Sequence, residues 1–226
     1  MNGTRGREQD GVRSLVITHE KFSEIREEKE FIVLLNLGRM VNTLQFALTV
    51  LRETPGTQTP ADVRQGVNAF LLCGSLLFEG IRHVNVVAKK YPGFDRLGKF
   101  KKPYREGDLA VFDETVLKCV RNKMVSHFDD DVFIDSLRHT PTGDVVFAQC
   151  HTVNLEDMVF TLSDELVLTY VTHTHTNSWN PSRKDFVGMV ETLIGLSREF
   201  IQMVVELMTG MLEEKGWVGM EKTQED

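Results

Sequence analysis

Residues 59–91 read TPADVRQGVNAFLLCGSLLFEGIRHVNVVAKKY, and the reading of this stretch decides the fold. Thr59 is a good helix N-cap. Pro60 suits the first helical position, where its missing N–H costs nothing, and Asp62 sets a carboxylate at the positive end of the helix dipole. Nothing breaks the pattern before Pro92-Gly93. A helix of about 30 residues is roughly 45 Å long. The preceding segment, Thr18 to Glu53, is of similar length. Phe31, Leu34, Leu35, Gly38, Val41, Leu44, Leu48 and Leu51 recur there at helical spacing, behind a capping Thr18 and an acidic Glu20, and Thr54-Pro55-Gly56 ends it. Two long helices joined by a short connection predict an antiparallel hairpin.

The rest of the chain extends this bundle. Residues 109–128 predict a third helix with Leu109, Phe112, Val116, Leu117, Val120 and Met124 on its apolar face. Asp129-Asp130-Asp131 ends it and caps a short helix on VFIDSL. Residues 144–152 (DVVFAQCHT) read as extended. Over 155–171, Leu155, Val159, Leu162, Leu166 and Tyr170 fit a helix capped by Asn154, whereas the Val and Thr content favours strand. Helix is the reading taken. Asn180 and Pro181 open the last helix, whose Met189, Met203, Met208 and Met211 read as adaptable core. The expected architecture is mainly α: a single domain over 1–226, a four- to five-helix up-and-down bundle. It has a flexible 1–12 segment, a small extended or β insert at 140–178 before the last helix, and a frayed acidic tail at 213–226.

Composition narrows the function classes. With 226 residues, 41% of them hydrophobic, the chain buries a substantial core. No run of 18 apolar residues is present, so no membrane span is expected. MNGTRGREQDGVRS lacks an apolar core, so no signal peptide is expected. The three cysteines are odd in number and form no CxxC pair, which fits a reduced, cytoplasmic protein. Cys73 and Cys119 sit in apolar helical patterns and read as buried thiols. Cys119, near Arg121, has the better claim to reactivity. There is no P-loop, GxGxxG, GxSxG or HExxH, so neither phosphoryl transfer nor Ser-hydrolase chemistry is indicated. His173 and His175 would share a face if extended, but no third ligand has suitable spacing. Neither metal nor cofactor is expected.

The net charge of −7 argues against a general nucleic-acid coat, yet the charge is uneven. Between Lys89 and Arg105 seven basic residues, among them Lys99, Lys101, Lys102 and Arg105, meet one acid, Asp95, for a local +6. The remaining 19 bases and 32 acids leave −13 elsewhere. Tyr91, Phe94, Phe100 and Tyr104 are interleaved with the positive charges. Such a segment binds RNA when the cations track phosphates and the rings stack on bases. It is an ordinary connector when the rings pack on the bundle.

The stretch that carries chemistry is Arg121-Asn122-Lys123-Met124-Val125-Ser126-His127. An Arg followed by His after four to six residues arises by chance roughly 1.3 times in this composition, and Arg13…His19 is a second match. Requiring Asn after Arg lowers the expectation to roughly 0.05 and leaves Arg121-Asn122…His127 alone. It lies at the end of an amphipathic helix, within a helical bundle. This resembles the signature of the HEPN superfamily (higher eukaryotes and prokaryotes nucleotide-binding domains).

Metal-free RNA cleavage needs a group that moves the 2′-hydroxyl or leaving-group proton, and positive charge near the phosphate. An unperturbed imidazole titrates near neutrality, so His127 suits the first role; the planar fork of Arg121 suits the second. The resemblance implies a metal-independent endoribonuclease in which Asn122 orients these groups. It also implies a homodimer that brings two copies of the motif into one cleft. The setting it implies is bacterial defence or toxin–antitoxin function, with RNA as substrate and an antitoxin as protein partner. The dimer answers a geometric problem, because six residues of α-helix turn through roughly 600° and leave positions 121 and 127 roughly 120° apart. The alternative is a non-catalytic bundle that binds a partner or ligand. In it Arg121 pairs with Asp113, Glu114 or the Asp129–Asp131 run, and His127 is a polar helix end.

Overall fold

The computed structural model describes residues 13–53, 60–91, 94, 108–125, 129–141, 143–149 and 158–222. Its elements are β1 (Arg13–Val16), α1 (His19–Ile25), α2 (Lys29–Glu53), α3 (Pro60–Lys90), α4 (Asp108–Phe112), α5 (Asp130–His139), α6 (Thr161–Thr176), α7 (Arg183–Glu214) and β2 (Gly219–Lys222). After Phe112, α4 continues through π-helical turns at Asp113–Leu117 and Val120–Val125. The protein is thus a mainly α-helical bundle, as the sequence predicts.

α3 is the central helix, touching α2, α6, α7 and both π-helical stretches. Contacts along α3 and α7 advance together: Phe70 meets Phe186, Cys73 meets Ser197, and Gly80 packs under Phe200. α2 runs the other way, with Glu30 at Lys215 and Gly38 at Met208. α2 and α3 are therefore antiparallel. Leu37, Leu44, Phe70, Leu77, Leu193 and Phe200 are fully enclosed between them, and each such burial contributes about 1.5–3 kcal/mol. Met189 and Met211 are buried and Met203 and Met208 pack beside them, consistent with the core role read from the sequence. By length and composition, α2 and the Arg64–Lys90 part of α3 are long and apolar enough to cross a membrane, as the core helices of a bundle also are. Inside the bundle, 44% and 50% of their most apolar windows are buried, which accounts for part of that composition.

Several boundaries differ from the sequence reading. Thr18 caps α1 by accepting from the Lys21 N–H, but the chain breaks after Ile25 rather than running straight to Glu53. The break brings Phe22 edge-on to Phe31 at 6.1 Å; nine residues of straight helix would separate them by roughly 13.5 Å of rise. The third predicted helix is π-wound at Asp113–Leu117 and Val120–Val125, and the first of these stretches meets α6, where the Thr174 hydroxyl is 3.0 Å from the Thr115 carbonyl and 2.7 Å from the Val171 carbonyl.

The 155–171 helix starts later, at Thr161, and Val159 instead pairs with Gln149 in an isolated antiparallel bridge. Positions 150–157, including the predicted Asn154 cap, lie outside the described residues. α7 is capped by Ser182, not Asn180, in a reciprocal capping box with Asp185. The predicted frayed tail folds back: Gly216, at φ +61°, makes the turn, Trp217 packs edge-on against Phe31, and β2 pairs antiparallel with β1.

Candidate functional site

Arg121 and Asn122 lie in the second π-helical stretch, facing α3. The Arg121 Nε donates to Glu79 Oε1 at 2.6 Å, and one terminal guanidinium nitrogen donates to Asn122 Oδ1 at 3.1 Å. The Arg121 side chain is 37% exposed and Glu79 51%. The fork is therefore braced on two sides and still reaches solvent. Its partner is not Asp113, Glu114 or the Asp129–Asp131 run, as the alternative sequence reading supposed. The carboxylate comes from α3, which packs against the π-wound segment, Gly74 lying beside Leu117 and Val120.

More charge surrounds this pair. Arg82 lies 3.9 Å from Asp113 and over the Phe78 ring. Burial lowers the Arg82 pKa, and Asp113, Glu79 and Glu114 oppose that shift. Burial raises the Asp113 carboxyl above its ordinary range, with Arg82 pulling it back. At 3.9 Å the pair is too long for a hydrogen bond, and Asp113 Oδ1 has none. Lys118 pairs with Glu114 one turn away at 2.7 Å. Three cations (Arg82, Lys118, Arg121) thus alternate with three carboxylates (Glu79, Asp113, Glu114). The surface carries no net positive field, so an anion would have to compete with carboxylates already in place.

Beyond Arg121 the segment is tied to α5 and α6. Lys123 donates to the Tyr170 hydroxyl at 3.1 Å and lies 3.6 Å from Asp129. The Tyr170 hydrogen bond leads the causes that raise the Lys123 pKa. The Asp129 N–H donates to the Lys123 carbonyl at 2.8 Å, and its side chain caps α5 by accepting from the Asp131 N–H. The helix-ending and capping role read for this acidic run is present. His127 and Ser126 lie outside the described residues, as do Lys99, Lys101, Lys102 and Arg105. Of the aromatics beside the basic run, Phe94 is fully buried and meets Tyr91 edge-on, so Phe94 packs on the bundle.

The remaining candidates separate. His173 and His175 lie on helical turns, not on an extended strand, and face different partners. His175 Nδ1 is 3.2 Å from Thr115 Oγ1, and its ring meets Phe112 edge-on. His173 stacks on Trp179 at 3.7 Å. Among the described residues, no three His, Cys, Asp or Glu side chains gather as a ligand set. Cys73 is buried, Cys119 half-buried, and both are free thiols. Burial pushes each up to about 11, so Cys119 is not the activated thiol that its nearness to Arg121 suggested. Sequence reading did not find Glu79, 42 residues from Arg121, or the Trp179 stack; neither has a signal in local spacing.

Against protein-family models, curated proteins and solved structures alike, the chain finds no match.

Proposed function

We propose that the chain is a metal-independent endoribonuclease of HEPN type, acting as a homodimer. The observation that supports this is the joined pair Arg121–Asn122, part-exposed at the π-wound end of a helix and followed in sequence by His127. Arg121 stabilises charge on the phosphate, Asn122 holds the guanidinium in place, and His127 transfers the proton. π-helical turns within α-helices are enriched at functional sites, which adds weight to this segment. The test incubates the purified chain with single-stranded RNA in EDTA, beside Arg121→Ala and His127→Ala variants. Cleavage by the parent and a loss of about a hundredfold or more in each variant is the expected result. Equal behaviour of all three proteins rules the reading out.

A second reading rests on the Glu79 contact. A guanidinium already neutralised by a carboxylate, in a patch of balanced charge, also suits a non-catalytic bundle that docks a partner. In that case His127→Ala leaves function intact and Glu79 serves only to fix α3 to the π-wound segment.

A further inference from the structure

The outer face of α2 departs from that of an ordinary bundle helix. Between Phe31 and Leu51 the only charged residue is Arg39. α7, by contrast, carries Glu191, Arg198, Glu199 and Glu206 at exposed positions. Toward the core, α2 buries Leu37, Leu44 and Leu48. On the opposite side Ile32, Leu35, Arg39, Asn42, Phe46 and Thr49 recur at alternating spacings of three and four, and all six are exposed. Ile32 is 45%, Leu35 56% and Phe46 64% exposed. Alternating three-and-four spacing is the seam along which one helix packs on another. Burial within the bundle covers 44% of the most apolar window of α2, which leaves the apolar side chains of this outer seam unaccounted for.

Two charges mark the seam. Arg39 and Glu53 lie seven residues to either side of Phe46. Seven residues of α-helix turn through roughly 700°, close to two full turns, so all three share one stripe. Both charged side chains are exposed, and among the described residues neither has an ion-pair partner. Beside the seam, between α2 and α7, runs a groove of about 210 Å³ whose nine lining residues, Gly38, Asn42 and Val205 among them, are all uncharged.

These features select the occupant. One cation in a face this long does not suit nucleic acid. Nor does it suit an anionic lipid surface, on a chain of net charge −7. The seam calls for a helix that offers an acid to Arg39 and a base to Glu53. α2 itself carries both. A parallel copy would set Arg39 against the partner's Arg39. An antiparallel copy centred near Phe46 brings each Arg39 to the partner's Glu53, joins the two Phe46 rings at the axis and keeps Asn42 in the seam, where a polar residue fixes register. We infer that the chain pairs with a second copy of itself through the outer face of α2, antiparallel and centred near Phe46. Such a contact uses the same patch on both copies and closes at two. Arg121 lies outside it, since its π-helical stretch packs on α3 and its guanidinium faces Glu79 there. The pairing is therefore distinct from one that joins two motifs in a cleft. It requires neither Arg121 nor His127.

Sedimentation velocity of the full chain, from about 1 to 100 μM, tests the pairing. The expected result is a concentration-dependent dimer. Phe46→Glu keeps the parent's helical circular dichroism and is monomeric throughout. Arg39→Glu and Glu53→Arg each weaken dimerisation about tenfold or more, and the two combined restore it to within about threefold of the parent. Recovery in the combined variant also shows that neither change unfolds the chain. A parent that stays monomeric at about 100 μM overturns the proposal. So does a monomer that sediments with phosphatidylcholine vesicles, which would give the face to lipid. A dimer indifferent to Phe46→Glu and to the charge reversals overturns it as well, and leaves a dimer around Arg121 standing. Cleavage of single-stranded RNA in EDTA, and its loss in His127→Ala, bears on the ribonuclease reading alone.

Discussion

The guanidinium of Arg121 and the carboxylate of Glu79 meet at 2.6 Å, across 42 residues of sequence. The contact ties the candidate motif to the central helix and occupies the Nε that a phosphate would otherwise approach. Both side chains are well exposed, so Glu79→Ala is expected to lower stability by less than about 1 kcal/mol in urea unfolding. On the proposed ribonuclease reading, the same variant is expected to bind single-stranded RNA about two- to tenfold tighter at low salt, because a competing carboxylate is gone. The gain should shrink toward high salt, where exposed charges are screened. Filter binding at two ionic strengths checks this, and an unchanged affinity removes Arg121 from the proposed RNA contact.

Three helical glycines separate packing from propensity. A Cβ at Gly80 would lie 2.9 Å from Phe200 Cζ and 3.1 Å from Met40 Sδ, whereas Gly188 and Gly195 have nothing within 4 Å. Gly195→Ala and Gly188→Ala are expected to raise stability by about 0.5–1 kcal/mol each. Gly80→Ala is expected to lower it by about 1–3 kcal/mol, since the enclosed Phe200 ring must shift. Chemical denaturation of the three variants measures the contrast.

The buried Cys73 and half-buried Cys119 thiols predict an alkaline loss of stability. Both are pushed from the usual 9.0 up to about 11 by burial, against weaker opposing bonds from Ser197 and Thr174. Above pH 9 the unfolded chain releases these protons while the folded chain holds them. The stabilising contribution is complete below 9 and is lost as pH rises toward 11. Urea midpoints should fall between pH 8 and pH 10.5, and fall less in a Cys73→Ala, Cys119→Ala double variant. Aromatic disulfide reagents at pH 8 should label both thiols far more slowly in the native protein than in urea.

Asp113 has the same sign on the acid side. Burial raises its carboxyl pKa, so the folded protein takes up the proton more readily than the unfolded chain. That contribution is present at low pH and is lost as pH rises through the raised value. Asp113→Asn should therefore match or exceed the parent in stability at pH 7 and lose ground relative to it as pH falls to about 4. Thermal midpoints of the two proteins across that window decide the matter; parallel curves would mean that the carboxyl is not perturbed.

The long helices were legible because their signals are local. Thr59-Pro60 and Pro92-Gly93 bracket α3, and Thr18 caps α1 in the register expected. What escaped the sequence depends on contacts between distant residues. The π winding at 113–117 packs against α6, whose Thr174 hydroxyl meets the Thr115 carbonyl across 59 residues of sequence. The β1–β2 pairing joins segments with no hairpin turn between them. The shift from Asn180 to Ser182 as the α7 cap was recoverable: Ser182-x-x-Asp185 has capping-box spacing, with an Asp where Glu is usual. At the candidate site, Arg121 and Asn122 were readable as a motif, whereas the neutralising Glu79 was not.

The antiparallel ladder in which Arg13 opposes Lys222 and Val16 opposes Gly219 also defines how the molecule bears a load. Tension applied at residues 13 and 222 acts at the open end of a two-stranded ribbon, across its rungs. The rungs then open in succession, as in a zipper, at low force. Only after Gly219 separates from Val16 does the pull reach Trp217 on Phe31 and the Lys215–Glu30 pair, and through them the α2–α7 interface. The ribbon is a mechanical fuse ahead of the bundle, and stretching the chain from these two points should show a weak early release before the main rupture.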